Sequence, residues 1–261
     1  MAAISLQNLS AGYGEKVVLD ALTLNIPAGQ IIGYIGPNGA GKSTTVKILT
    51  GLLPDFSGEA TVAGFDVRTQ PMEVKKKIGY VPELAELYEL LTPHEYLHFV
   101  GTLQGMDAAV AEDRMQKMLT AFGIGENLHQ RMDTFSKGMR QKVLLTAGLL
   151  HNPEIVILDE PLSGLDANAV IVVKQLLQVL KAEGKTIFYC SHMMDVVEKV
   201  SDRIVLISNG RIVADGTIEE LRQGSHASLE ELFSRLTTSE SANDQAAQIA
   251  GALQNTNPTA L

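Results

Sequence analysis

Ile31-Ile32-Gly33-Tyr34-Ile35-Gly36-Pro37-Asn38-Gly39-Ala40-Gly41-Lys42-Ser43-Thr44 is the stretch on which the reading of this chain turns. It opens with a short apolar run rich in β-branched residues, the pattern of a buried strand. From Gly36 onward it satisfies G-x-x-x-x-G-K-[ST]. Beyond it Val46, Ile48, Leu49 and Leu52 suggest a largely buried helix that stops near Gly51 and Pro54. Strand, glycine loop and helix follow in the order a phosphate-binding loop requires.

The residue types fit a triphosphate. Gly36, Gly39 and Gly41 let the backbone bend and come close to the anion without a Cβ in the way. The N–H groups of Gly36 and of Asn38, Gly39 and Ala40 on to Thr44 can then surround it, Pro37 between them having none to give, and the helix adds the positive end of its dipole. Lys42 is expected to reach the β- and γ-phosphates, and the Ser43 hydroxyl to ligate Mg²⁺.

The second chemical signal is Ile155-Val156-Ile157-Leu158-Asp159-Glu160, four apolar residues that end in two carboxylates. A buried strand of this kind delivers its acids at the C-terminal edge of an open α/β sheet, where ligands bind. Asp159 is expected to hold Mg²⁺ and Glu160 to polarise a water for attack on the γ-phosphate. Thr186 to Cys190 is another buried strand and brings Ser191-His192 to a like position. Tyr13, between Gly12 and Gly14, offers an aromatic platform for a base.

Around these pieces the rest reads simply. Residues 3–10 and 17–26 alternate apolar and polar, with Val18, Leu22, Leu24 and Ile26 on the buried face. Residues 57–64 read as a strand and turn, and Ile78 to Val81 as a short strand broken by Pro82. From Thr92 to Leu150 the pattern is mostly helical: Thr92-Pro93-His94-Glu95 is a helix start, and Ser136 is a good N-cap for a helix reaching about Leu150. Ala167 to Glu183 is a further helix, and Asn209-Gly210 sits between two apolar runs as a hairpin turn. Thr217 to Glu220 forms a capping box, and beyond Thr237 a polar tail follows.

Composition bounds the partners. The chain has 261 residues, a net charge of −9 and no long basic run, so nucleic acid is not an expected partner. Cys190 is the only cysteine, which rules out an intramolecular disulfide and fits a reducing cytoplasm. No basic segment with an apolar core opens the sequence, and no apolar stretch approaches the roughly 18 residues that span a bilayer. Any membrane role therefore calls for a partner chain.

Over residues 3–237 these pieces resemble the ATP-binding subunits of ABC transporters. The loop Gly36 to Thr44 and the strand ending Asp159-Glu160 match that family's two nucleotide motifs. Ser136-Lys137-Gly138-Met139-Arg140 stands where the family has its signature loop, and Ser163-Gly164-Leu165-Asp166 resembles its D-loop. His192 falls at the switch histidine, Tyr13 at the adenine-stacking aromatic, and Glu83 at a position usually held by Gln. The signature loop departs from the usual S-G-G-Q in that Lys137 replaces a glycine and Met139 the glutamine.

The resemblance implies an α/β fold, a P-loop NTPase RecA-like core with an antiparallel β-subdomain and an inserted α-helical subdomain. It places the β-subdomain and loop core at about 1–83, the helical insertion at about 84–150, the core again at 151–222, C-terminal helices at 223–237 and a flexible polar tail at 238–261. It implies an ATPase with ATP and Mg²⁺ as cofactors, the metal held by Ser43, Asp159 and Glu83. Lys42, Glu160 and His192 would carry the catalysis. Ser136, Lys137, Gly138, Met139 and Asp166 would act across a head-to-tail dimer, most simply a homodimer. The partner would be a separate integral membrane permease, which puts the subunit peripherally on the cytoplasmic face of the cell membrane.

The variant positions, and residues 229–237, look like the branch of drug-resistance, lipid and cytochrome-c-biogenesis export ATPases. A soluble ABC-type ATPase acting on a ribosome or DNA is the alternative. This chain shows one cassette and no long heptad run, where such proteins are expected to carry a second cassette with a charged linker or a long coiled coil. A kinase or GTPase on the same loop would leave the signature and D-loop unexplained.

Overall fold

The computed structural model describes residues 2–83, 87–222 and 228–237, together with Ala250. The expected polar tail thus lies almost wholly outside the described residues, as do the first residues of the expected helical insertion and of the C-terminal helices.

The chain begins with a hairpin, β1 (Ala2–Tyr13) and β2 (Lys16–Pro27), paired antiparallel. Alternation is not strict along β2. Ala21 has φ 48°, and the ladder slips on either side of Leu9, which faces Leu22. This bulge moves the inward position from Val18 to Leu19, which is fully buried, while Val18 stays partly exposed. The sequence pattern put Val18 on the inner face because period-two counting cannot see an extra residue.

After β3 (Ile31–Ile35) and α1 (Lys42–Leu49), β4 (Ser57–Val62) and β5 (Phe65–Asp66) join the hairpin. They complete a four-stranded antiparallel sheet in the order β2-β1-β4-β5. Then come α2 (Pro71–Lys77) and β6 (Ile78–Val81). A run of helices follows: α3 (Pro93–Leu103), α4 (Ala108–Ala121) and α5 (Lys137–Leu149). The start of α3 is a complete capping box. Thr92 accepts from the Glu95 N–H, and the Glu95 carboxylate accepts from the Thr92 N–H. Such a box satisfies two amides that would otherwise lack partners.

The chain then alternates β7 (Ile155–Asp159), α6 (Ala167–Ala182), β8 (Thr186–Cys190), α7 (Met194–Val200) and β9 (Arg203–Ser208). The turn Asn209-Gly210, with φ of 48° and 75°, folds β10 (Arg211–Gly216) back on β9. Two short helices close the described chain, α8 (Ile218–Arg222) and α9 (Leu229–Thr237).

The second sheet has six strands in the order β10-β9-β3-β8-β7-β6, parallel except for β10. Strands β3, β7 and β8 are buried at every residue, as their unbroken apolar sequences require of a sheet covered on both faces. The register aligns their ends: Tyr34 faces Cys190, Cys190 faces Asp159, and Leu158 faces Val81. The residues that follow β3, β6, β7 and β8 therefore leave the sheet at one edge, and they are the residues singled out in the sequence.

Candidate functional site: a cleft at the sheet edge

Gly36 to Thr44 leaves the C-terminal end of β3 and wraps onto the start of α1. Two of its glycines are required by the protein itself. A Cβ on Gly36 would lie 2.4 Å from the Ile207 carbonyl oxygen, and one on Gly41 would lie 2.5 Å from Leu19 Cδ2 at a φ of 111°. The sequence suggested that these glycines clear room for a ligand, but at Gly36 and Gly41 the room goes to β9 and β2. Gly39 differs, for nothing lies within 4 Å of its Cβ position, and its φ of 80° is the reason for glycine there.

Gly41 is the N-cap of α1 and offers no side chain to the first turn, which also holds no acid. The amides there face the cleft with the positive end of the helix dipole uncompensated. Lys42 lies across the loop, its Nζ donating to the Gly36 oxygen at 2.6 Å and the Pro37 oxygen at 3.1 Å. An ammonium resting on two carbonyls is available to a stronger acceptor such as a phosphate.

Opposite stands the acidic strand end. Glu160 sits just past β7 with φ 48°, a left-handed conformation that costs a non-glycine residue about 1–3 kcal/mol. Its surroundings hold it there. Its N–H donates to the Cys190 oxygen at 2.9 Å. Its Oε2 accepts from Ser191 Oγ at 3.0 Å and its Oε1 from the His192 N–H at 2.8 Å. His192 Nδ1 also lies 2.9 Å from Oε1, with the imidazole largely exposed beside the buried carboxylate. A buried carboxylate fixed at both oxygens can orient a water and accept its proton.

Asp159 is buried beside it, its carboxyl pushed up to about 6 by burial first, then by the charges of Glu83 and Glu160, with Lys42 opposing. An acid so placed gains from a cation nearby. Among the described residues no three acids, histidines or cysteines form a metal cage by themselves. One or two carboxylates and a hydroxyl, completed by phosphate oxygens, are the hard donors that Mg²⁺ takes in nucleotide sites. Asp159, Glu83 and Ser43 are of that kind and line one cleft.

That cleft encloses about 360 Å³. Its walls are Asn38, Gly39 and Gly41 to Thr44 of the loop, Glu83, Asp159 and Glu160 of the acidic edge, and His192. Tyr13 stands at its mouth with its ring half exposed, and Lys47 Nζ is 6.0 Å from the ring centre. Lys16 and Val18 of β2 also line it and were not anticipated; the bulge at Ala21 leaves Val18 free to do so. Ser191 was read only as the neighbour of His192, yet it bonds Glu160 across 31 residues of sequence. No local pattern signals such a contact.

The remaining sequence-read residues lie elsewhere. Ser136 caps α5, its Oγ accepting from the Met139 N–H at 3.2 Å. Lys137 Nζ donates to Ser163 Oγ at 2.7 Å, and a Cβ on Gly138 would lie 2.6 Å from the Gly164 oxygen. Asp166 caps α6 by accepting from the Ala169 N–H and lies 3.4 Å from Lys142 Nζ. The two loops are thus packed on each other within one chain. Gln141, buried and not singled out by the sequence, donates from Nε2 to the Pro161 oxygen at 3.1 Å and ties α5 to the segment after Glu160.

Comparison with known proteins agrees with this geometry. The family profile described as ABC transporter matches residues 19–163, more than half of the chain. The linearmycin resistance ATP-binding protein LnrL of Bacillus subtilis (strain 168) is 37% identical over 215 residues, covering 82% of this chain and 69% of that protein. A solved ATP-binding subunit of an ABC transporter superposes with a TM-score of 0.85 at 34% identity, covering 90% of this chain and 99% of that one. A dimeric ATP-binding cassette in a post-hydrolysis state, bound to ADP and Pi, superposes with a TM-score of 0.75 at 25% identity, covering 82% of this chain and 98% of that one. The six-stranded sheet, the loop at its edge and the acids facing that loop belong to a shared architecture, and this chain is a member of the ABC transporter family, an ATP-binding subunit with ATPase activity.

Proposed function

We propose that the protein is the motor subunit of an exporter, in which ATP joins two copies head to tail and hydrolysis releases them. The observation that carries this reading is the lining of the cleft. It contains the loop, the acids and His192, but none of Ser136 to Met139. The start of α5 lines no part of its own chain's cleft; Ser136 and Lys137 are exposed, and this turn rests on its own cap, the 163–164 loop and the bonds of Arg140 to Glu89, Met132 and Asp133. A second copy turned through a half rotation would bring that helix start to the γ-phosphate, where its dipole and Lys137 favour negative charge. The ADP- and Pi-bound dimer among the similar structures supports the arrangement.

Within each cleft Lys42 and the amides of Gly36 to Thr44 would hold the phosphates, and Tyr13 would stack on the base. Ser43, Asp159 and Glu83 would hold Mg²⁺, which supplies charge neutralisation on the phosphate oxygens when bound. Glu160 would take the proton of the attacking water. His192, fixed at Glu160 Oε1, would sense the γ-phosphate. Asp166 would contact the partner copy near the seam.

The partner would be a membrane permease, which the match to the ABC transporter family supports; no described helix is itself long and apolar enough to cross a bilayer. A groove of about 450 Å³ between the β6 edge and α3 and α5 suits it, with Leu52, Tyr80, Pro82, Tyr96 and Val100 among its walls. Pro82 lines this groove while Glu83 lines the cleft, so one step of chain joins a docking face to the nucleotide. The subunit would then sit peripherally on the cytoplasmic membrane face, and its chain would divide into core, helical insertion and tail at the boundaries given above. The resistance function in the name of LnrL supports the outward direction.

Size-exclusion chromatography of Glu160→Gln with saturating MgATP tests the reading. A shift from monomer to dimer is expected, and elution as a monomer at every ATP concentration would refute it.

A further inference from the structure

We propose that His94 and His98, with His129 and Glu112 beside them, form an exchangeable site for a divalent transition-metal ion such as zinc, on the α3–α4 surface and separate from the nucleotide cleft. The protein has six histidines, and three of them meet here. His94 and His98 are four residues apart on α3 and so share one face of the helix. Their rings stack with centroids 6.1 Å apart and planes 11° from parallel. His129 comes from the loop before α5, its ring centroid 5.1 Å from that of His94. The His94 N–H donates to the Leu128 oxygen at 3.0 Å, which fastens this loop to the first turn of α3. On α4, Glu112 Oε2 lies 2.9 Å from His94 Nε2.

The frame under these side chains is firm: α3 is anchored by fully buried Leu97, and α4 by Ala111 and Met115. The capping box occupies Glu95, so that carboxylate is not a candidate ligand. His98 and His129 are exposed and His94 is half-buried, so an ion arriving from solvent can reach all three.

Among the described residues no three histidines, cysteines or acids are placed to hold a metal ion together. The site is therefore a two-imidazole chelate of His94 and His98 at helical spacing, with water at the open positions. Neutral imidazole suits zinc, nickel and copper rather than Mg²⁺. A carboxylate bonded to a ligating histidine fixes its tautomer and raises its basicity, and Glu112 has that position.

Zinc chloride titrated calorimetrically into the tag-free, nucleotide-free full chain near pH 7.5 is expected to fill one site per chain. His94→Ala/His98→Ala should weaken binding at least about ten-fold, and Glu112→Gln less, as is usual for residues that support or complete a metal site. His192→Ala should bind zinc as the unmodified protein does. If the double variant melts differently from the unmodified protein without metal, His98→Ala alone, at an exposed side chain, replaces it and should also lose affinity. Failure of the unmodified protein to bind zinc would overturn the proposal. So would undiminished binding in the histidine variants, or a loss confined to His192→Ala, which would assign the metal to the nucleotide cleft.

Discussion

Helices α1 and α5 start alike and are finished differently. Neither has an acid in its first turn, and each has a lysine there, Lys42 in one and Lys137 in the other. The α1 start is walled in by its own chain: the acids of β7, Glu83 and His192 stand across a cleft from it. The α5 start has its Ser136 cap, the loop at Ser163 and Gly164 and, through Arg140, Glu89, Met132 and Asp133. On the reading proposed above, one is half of a site its own chain completes and the other awaits a second copy. The difference teaches how the chemistry would reside within one chain while its trigger belonged to a pair.

The largest effect should come from the finished half. Glu160→Gln keeps the shape and one acceptor oxygen for the His192 N–H, turns the bond to Ser191 Oγ into a donated one and removes the proton acceptor, so steady-state turnover should fall by about 10²–10⁴. ATP affinity should be retained. A turnover within a few-fold of normal in a phosphate-release assay would move the base to another group, and the comparison would lose its catalytic side.

Next in size is Lys42→Ala. A hydrogen bond to a charged group is worth about 1.5–3 kcal/mol, so ATP affinity should drop about ten- to a hundred-fold in a direct titration. The ammonium has two carbonyl acceptors in the loop, and their loss of a partner should cost little because carbonyls can turn to water.

Ser136→Ala probes the other helix. Monomer ATP affinity should stay within about two-fold, since Ser136 lines no part of its own cleft. Turnover, which on the proposed reading needs the pair, should fall about ten-fold through loss of the hydrogen bond that Ser136 would give to phosphate. The cap also matters: removing it costs about 1 kcal/mol, visible as a lower melting temperature. Ser136→Gly costs the cap only a few tenths of that and so separates the two effects. A Ser136→Ala variant whose monomer loses ATP affinity as strongly as Lys42→Ala would erase the distinction between the helices.

Much of this could be read before the coordinates, because the relevant signals are local. The strand-loop-helix around Gly36 to Thr44, the turn at Asn209-Gly210 and the capping box at Thr92 each lie within a few residues of sequence. What escaped was non-local. Ser191 finds Glu160 only because β7 and β8 are adjacent and in register. Gln141 finds the Pro161 carbonyl only because α5 packs against the segment after β7. The glycine at Gly36 was explained by the ligand when its nearest constraint is the Ile207 carbonyl, 171 residues away in sequence. The bulge at Ala21 hid the exchange of Val18 for Leu19, since alternation carries no mark where a residue is inserted. The signature loop was found through resemblance, for by composition alone Ser136 is only a helix cap.

The smallest expected effect concerns the acidic edge itself. The Asp159 carboxyl, near 6 in the folded chain, lies above its ordinary value of 3.8. The nucleotide-free folded chain therefore holds a proton there that the unfolded chain has given up between about pH 4 and 6. Its stability falls as pH rises through that window and levels off above it. Glu83 is the first charge, after burial, responsible for the raised value. Glu83→Gln should lower it, so the melting temperature should fall less between pH 4.5 and 7.5 than in the unmodified chain. Glu83 is exposed, so the difference should be a degree or so, on the order of the few tenths of a kcal/mol that a screened surface charge contributes. Mg²⁺ affinity in the presence of ATP should change only a few-fold, because an amide oxygen still ligates the ion. An unchanged pH slope would mean that Glu83 does not act on Asp159 at all. The acidic edge would then be a pair of neighbours on β7 rather than a convergence of two strands, and the finished half-site would be less finished than its geometry suggests.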